Sequence, residues 1–108
     1  YYTWSGKMVS EKIKHEIIRI ILKYLDRVET TITLFGSHAA GTAKPYSDID
    51  IGITNSSHEN LDRSISLIRS ALGDSNIPYK IDLINLSRAE ATFKEITLKE
   101  HITWHKPN

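Results

Sequence analysis

The sequence predicts an α/β (α+β) protein with a small mixed sheet covered by helices, in the order α-β-α-β-α-β-α. Segments with apolar residues at helical spacing alternate along the chain with short β-branched segments, and this alternation indicates one sheet backed by helices. The 108 residues, 40% hydrophobic and 25% charged, suffice for one core. We therefore expect a single domain over residues 1–108.

The first element is an amphipathic helix predicted between Ser10 and Val28, where apolar residues recur about every 3.6 positions. A second apolar stripe lies beside the first: Ile18, Leu22 and Leu25. If this stripe stays exposed, it marks contact with a protein partner or with a second copy of the chain. Alternatively, the terminal segments with Trp4 and Trp104 fold over it.

Three strands are predicted from β-branched, alternating segments: Thr30–Phe35, Asp48–Thr54 and Tyr79–Leu86. Residues 36 to 47 connect the first two strands. Three strands make a very small sheet, so we expect it to be heavily covered or to associate with something.

Two further helices are predicted from capping-box patterns, Ser56-x-x-Glu59 and Ser87-x-x-Glu90. The first carries apolar residues at core spacing: Leu61, Ile65, Ile68 and Leu72. Gly73 to Pro78 ends that helix. The last helix has a less regular pattern.

Two aspartates, Asp48 and Asp50, interrupt an apolar run. In a strand they project from one face, about 6.5 to 7 Å apart, while Ile49, Ile51 and Ile53 take the other. A carboxylate in apolar surroundings costs several kcal/mol unless donors or cations compensate it. The pair therefore either lies on a solvated face or binds a divalent cation, of which Mg²⁺ suits carboxylates and phosphates best.

Four other positions suggest the rest of a nucleotide site. Gly36 and Ser37 follow the first strand, where a helical turn would offer N–H groups and a hydroxyl to phosphate. Asp82 interrupts the third strand and could converge on the same metals, although alone it could equally be an exposed sheet residue. Gly52 follows on the carboxylate face, where we expect it to leave room for a ligand.

Together these residues resemble the minimal nucleotidyltransferases of the polymerase-beta-like superfamily. The family signature is Gly-Ser, ten residues, Asp-x-Asp and a later carboxylate. This chain has, in order, Gly36-Ser37, ten residues from His38 to Ser47, Asp48-Ile49-Asp50 and then Asp82. As a combination the motif is quite specific, and the resemblance covers about Thr30 to Leu86.

The resemblance implies the nucleotidyltransferase fold and transfer of a nucleoside monophosphate, with ATP as the expected donor, to an acceptor hydroxyl. Asp48, Asp50 and Asp82 would be the catalytic metal ligands for two Mg²⁺ ions, with Mn²⁺ as the alternative. Gly36 and Ser37 would hold the β- and γ-phosphates. Small members of the family often pair with a helical toxin partner as its antitoxin.

One departure keeps a second function open. Many members have Gly-Ser-Arg-Ala-Arg-Gly, whereas this chain has His38 and Ala40 at the arginine positions. The alternative is therefore a catalytically weak or inactive binding module that acts by forming a complex with a helical partner. We expect His38 to be a surface residue rather than a catalytic base.

Composition limits the other partners. Fourteen basic and thirteen acidic residues give a formal charge of +1, without the basic surplus typical of proteins that grip long nucleic acid. No apolar run is long enough for a membrane span. With no cysteine, the expected location is the cytoplasm. His101 and His105 are spaced to bind zinc on a helix, but with no third ligand in view we expect them to face solvent.

Overall fold

In the computed structural model the described residues are 9–44, 47–56, 60–88 and 101–107. They form seven elements: α1 Glu11–Tyr24, β1 Thr30–Phe35, α2 Ser37–Ala40, β2 Ile49–Asn55, α3 Leu61–Gly73, β3 Ile81–Asn85 and β4 Ile102–His105. The four strands lie side by side in the order β3-β2-β1-β4. β1 is antiparallel to β2 and to β4, whereas β2 and β3 are parallel and are connected through α3. The prediction of a small mixed sheet with helices is confirmed.

The core joins the sheet to α1 and α3. Ile49, Ile51 and Ile53 alternate along β2 and are completely buried. They share one apolar cluster with Ile17 and Ile21 of α1. The four predicted core positions of α3 are also buried: Leu61, Ile65, Ile68 and Leu72. The period-2 pattern of β2 and the period-3.6 pattern of α3 thus identified the buried faces of these two elements correctly.

α1 ends earlier than predicted, at Tyr24 rather than near Val28. Leu25 has an extended backbone and only 4% of its surface is exposed, so it belongs to the core. The prediction that Leu25 shares an exposed stripe is therefore wrong; only Ile18 and Leu22 remain partly exposed, packed at the margin of the core. No described helix is long and apolar enough to cross a membrane.

The start of α3 differs from the predicted capping box. The helix begins after Asn60, and the Ser56 hydroxyl donates a hydrogen bond to the carboxylate of Glu29 instead. Ser56 can do so because the end of β2 lies beside the start of β1, where the Ser56 N–H also donates to the Glu29 carbonyl. Glu59 lies outside the described residues.

The C-terminal part contains a fourth strand that the sequence did not predict. β4 pairs with the free edge of β1, with an irregular register between Ile32 and Thr33. His101 and His105 are therefore not on one helix face, and the His105 Nε2 lies 2.8 Å from the carbonyl oxygen of Arg27. Ser87 and Arg88 form a turn, and the rest of the predicted last helix, 89–100, lies outside the described residues.

Candidate active site

The structure brings the predicted carboxylates to one part of the sheet. Asp50 in β2 is the register partner of Asp82 in β3, and Asp48 immediately precedes β2. Opposed residues of neighbouring strands project to the same face, and the strands lie about 4.8 Å apart. Asp82 therefore lies beside Asp50. We call Asp48, Asp50 and Asp82 the acidic edge.

The charge of Asp50 is poorly compensated. Burial raises the pKa of its carboxyl group above the ordinary value, and the negative charges of Asp82 and Asp48 raise it further. His38 acts in the opposite direction as the smallest contribution. Within the described part of the chain, no ion pair includes any of the three aspartates.

Gly36, the first residue after β1, lies against the Asp50 carboxylate of the acidic edge. Its φ of +75° lies in the left-handed region that glycine adopts most easily. A Cβ atom added there would lie 2.2 Å from Oδ2 of Asp50. Only glycine fits this backbone, and the close approach that the sequence suggested for a phosphate is made here by the Asp50 carboxylate.

Residues 36 to 43 form a compact turn. The N–H groups of Ala39 and Ala40 donate to the Gly36 carbonyl oxygen, as one helical turn requires. The N–H groups of Thr42 and Ala43 donate to the Ser37 carbonyl oxygen, at 3.0 and 3.1 Å. Ser37 is partly exposed at the start of this turn, next to Gly36.

The prediction that His38 is a surface residue is wrong. Its side chain is completely buried, and its ring meets the ring of Tyr79 edge to face at 5.8 Å. The His38 Nε2 lies 3.0 Å from the carbonyl oxygen of Ser47, the residue before Asp48. No local pattern signals this burial, because Tyr79 and Ser47 are brought to His38 only by the fold.

Gly52 has a different role from the one expected. A Cβ atom there would lie 2.3 Å from Cδ1 of Leu86, which is itself buried. The space beside Gly52 is therefore occupied by Leu86 rather than left for a ligand. The Leu86 N–H donates to the Ile53 carbonyl oxygen at 2.9 Å, so the chain just after β3 is still held against β2.

The acidic edge fits magnesium only as a partial ligand set. Among residues 9–44, 47–56, 60–88 and 101–107, no group of three or more acidic or histidine side chains is gathered closely enough to hold a metal ion. Mg²⁺ does not require such a cage, since one or two carboxylates with water and substrate phosphates commonly hold it. The acidic edge supplies carboxylate oxygens with excess negative charge and so meets that requirement.

A separate cleft of about 540 Å³ lies between the start of α1 and residues 76–78. Its lining includes Ser10, Lys12, Ile13 and Glu16 but none of the three aspartates. The pKa of Glu16 in this cleft is lowered only by its hydrogen bond and ion pair with the exposed Arg19, whereas burial and two neighbouring carboxylates raise the pKa of Asp50. The acidic edge is therefore the stronger candidate.

Comparison with known proteins identifies the family. The "Polymerase beta, Nucleotidyltransferase" family matches residues 13–106, so the chain belongs to that family and is a nucleotidyltransferase. The probable protein adenylyltransferase MntA of Haemophilus influenzae is 32% identical over 93 residues, which cover 83% of this chain and 80% of that protein.

Two solved structures show the same fold. A toxin-antitoxin complex with AMP-PNP matches with a TM-score of 0.63 and 23% identity, over 86% of this chain and 73% of that chain. A tri-AMPylated HEPN toxin of Shewanella oneidensis in complex with MNT antitoxin matches with a TM-score of 0.59 and 19% identity, over 89% and 71%. The expected nucleotidyltransferase fold is confirmed.

Proposed function

We propose that this protein transfers AMP from ATP to a hydroxyl group of a partner protein, and that it is the antitoxin of a toxin-antitoxin pair. The observation that carries the transfer is the acidic edge, whose aspartates lie together beside Gly36 with no cation of the described chain paired to them. The relative at 32% identity is named as a protein adenylyltransferase, which supports AMP as the group transferred. The toxin-antitoxin complexes that share the fold support a protein partner.

In this proposal Asp48, Asp50 and Asp82 would be the protein ligands of two Mg²⁺ ions, and water and the triphosphate would supply the remaining oxygens. When bound, the ions would neutralise the phosphates and activate the attacking hydroxyl. The raised pKa of Asp50 supports this role, because a carboxylate that is costly to ionise alone is favoured by an added cation.

The transfer itself is an in-line displacement. A bond forms between the acceptor oxygen and the α-phosphorus, and the bond from that phosphorus to the bridging oxygen breaks, releasing pyrophosphate. Asp82, exposed at the edge of the sheet, accepts the proton of the hydroxyl. Ser37 donates to the β- or γ-phosphate from the turn after β1, next to Gly36.

A non-catalytic antitoxin is the second candidate, and α2 favours it. The turn carries no arginine; His38 is buried against Tyr79, and Ala40 has no polar side chain. No side chain of Ser37–Ala40 therefore brings the positive charge that arginines would bring to a triphosphate. Such a protein would bind its partner without modifying it.

The partner contact is proposed on the outer face of α1. Ile18 and Leu22 line a shallow cleft with His15, Arg19 and Arg27. Leu25 is excluded because it lies in the core. Leu22→Glu should weaken the complex while the chain stays folded, whereas Leu25→Glu should unfold it, because a buried unpaired charge is strongly destabilising.

The deciding experiment is purification from the native source with any partner attached, followed by incubation with Mg²⁺ and ATP labelled on the α-phosphate. Label on the partner, with pyrophosphate released in equal amount and both lost in EDTA, is the expected result. Asp50→Asn is the negative control, and γ-labelled ATP shows whether phosphate is transferred instead.

Each result selects one candidate. A stable complex without label supports the non-catalytic antitoxin. Transfer to a small molecule or to RNA would overturn the assignment of a protein acceptor. The cytoplasmic location stays a prediction, to be checked by fractionating the same cells.

A further inference from the structure

One buried ring connects the three segments that carry the candidate site. His38 belongs to the turn after Gly36-Ser37 and is completely buried. Its Nε2 lies 3.0 Å from the carbonyl oxygen of Ser47, which precedes Asp48. Its ring packs edge to face on Tyr79, which lies shortly before Asp82 in the chain.

The Ser47 contact defines which ring nitrogen carries hydrogen. A carbonyl oxygen only accepts hydrogen bonds, so Nε2 of His38 must be the donor. Ser47 is also held by a local turn, because its hydroxyl accepts from the Lys44 N–H at 2.9 Å and its N–H donates to the Lys44 carbonyl at 3.0 Å. The imidazole therefore binds a residue, Ser47, whose position two hydrogen bonds to Lys44 already restrict.

We propose that His38 is a positioning residue: its Nε2–H holds the Ser47 carbonyl and so fixes Asp48 relative to Ser37 and Asp82. The inference rests on the proposed nucleotidyl transfer, in which these three residues must meet one triphosphate. His38 contacts none of the reacting atoms. Displacing a site residue by about 1 Å can lower a rate by about 100-fold, so a single backbone hydrogen bond at this position matters.

Glutamine and methionine at position 38 form a matched pair for the test. Glutamine places an amide N–H where the histidine Nε2 lies, whereas methionine has a similar length and no donor. Transfer of AMP by the full chain would be measured for the wild type, His38→Gln and His38→Met, with kcat and KM for ATP determined separately. Thermal unfolding of the three proteins would be recorded alongside.

The expected result separates positioning from packing. His38→Met should lower kcat about 10- to 100-fold with a smaller change in KM, and His38→Gln should recover most of kcat. Losing one hydrogen bond to the partly exposed Ser47 costs little stability, so the unfolding temperatures of His38→Met and His38→Gln should lie close together. If kcat instead follows stability, or if the two variants are equally active, His38 only fills space and the proposal is wrong.

Nitrogen NMR of the His38 ring tests the same bond without activity. Hydrogen on Nε2 supports the proposal, and a ring with hydrogen on Nδ1 alone overturns it, even if His38→Met fails to fold. The amide signals of Asp48 and Ile49 should shift in His38→Met and return in His38→Gln. If the wild type has this bond and these shifts but transfers no AMP, the proposed function fails while the role of His38 in placing Asp48 stands.

Discussion

Acidic side chains lie near both ends of β3, the acidic edge at its start and Asp62 of α3 at its end, and their charges are compensated differently. At its start, the acidic edge places carboxylates beside one another, and the pKa of Asp50 is raised by burial and by Asp82 and Asp48. At its end, the Asn85 amide donates to Asp62 at 2.9 Å and the Arg88 guanidinium pairs with the same carboxylate. These hydrogen bonds, with Asn85 first and Arg88 second, lower the pKa of Asp62.

Asp50, rather than Asp62, is the carboxylate available for a ligand. The Asp62 charge is compensated by Asn85 and Arg88, and these contacts connect α3 to the end of β3. The Asp50 charge is opposed by its neighbours, which is unfavourable for the protein alone and favourable once a cation binds. Removing either carboxylate should therefore have opposite consequences.

The largest expected effect is on catalysis. Asp50→Asn should lower AMP transfer by at least about 100-fold. Even changing a residue that only hydrogen-bonds to a metal ligand lowers metal affinity or activity by about 10- to 100-fold. Asp62→Asn should keep transfer within about twofold of the wild type, since exposed ion pairs contribute little. The measurement is kcat/KM for labelled ATP on the native acceptor. Equal losses in both variants would show that the acidic edge has no special role.

Ligand binding gives the next effect. Mg²⁺ with a non-hydrolysable ATP analogue should raise the unfolding temperature of the wild type and of Asp62→Asn, but much less that of Asp50→Asn. At about 100 times Kd the stabilisation is about 2.7 kcal/mol. Calorimetric scans with Mg²⁺ and with EDTA measure the difference. A shift that survives EDTA unchanged would contradict the metal ligand role of the edge.

Gly36, beside the acidic edge, and Gly73, at the end of α3, should respond in opposite ways to substitution by alanine. Gly36→Ala should destabilise the fold by about 1–3 kcal/mol, because it strains a positive φ and pushes on the Asp50 carboxylate. Gly73→Ala, in open space at the end of α3, should instead stabilise by about 0.5 kcal/mol. Urea unfolding of both variants measures this contrast. If Gly36→Ala is neutral, the Asp50 carboxylate does not lie against the turn.

The smallest effect is the pH dependence of stability without metal. A raised folded pKa means that the contribution of Asp50 is fully present below the unfolded value of 3.8 and is lost as pH rises through the folded pKa. Asp50→Asn should therefore gain stability relative to the wild type between about pH 4 and pH 7.

Asp62 has the opposite sign. Its folded pKa is lowered, so its contribution is present above 3.8 and is lost as pH falls through the folded value. Asp62→Asn should accordingly lose stability relative to the wild type near neutral pH and approach it in acid. The unfolding temperatures of both variants and of the wild type would be measured across this pH range. If both variants change in stability in the same direction, the opposite signs predicted for Asp50 and Asp62 are wrong.

Features that depend on spacing along the chain could be predicted from the residues alone. Alternation placed Ile49, Ile51 and Ile53 on the buried face and Asp50 on the other, because strand geometry has a fixed period of two. The order of Gly36, Ser37 and the aspartates was enough to indicate the family, which the comparison confirms for residues 13–106. Both inferences concern short segments whose geometry the backbone fixes locally.

The residues that fill the space between those segments became evident only in the folded chain. Leu25 enters the core because the chain leaves the helix at Tyr24, and Leu86 occupies the room beside Gly52. His38 is buried where Tyr79, just before β3, and Ser47, just before β2, contact its ring. These contacts join residues distant along the chain. Burial depends on the neighbours the fold supplies, so no periodicity within one segment could have predicted them.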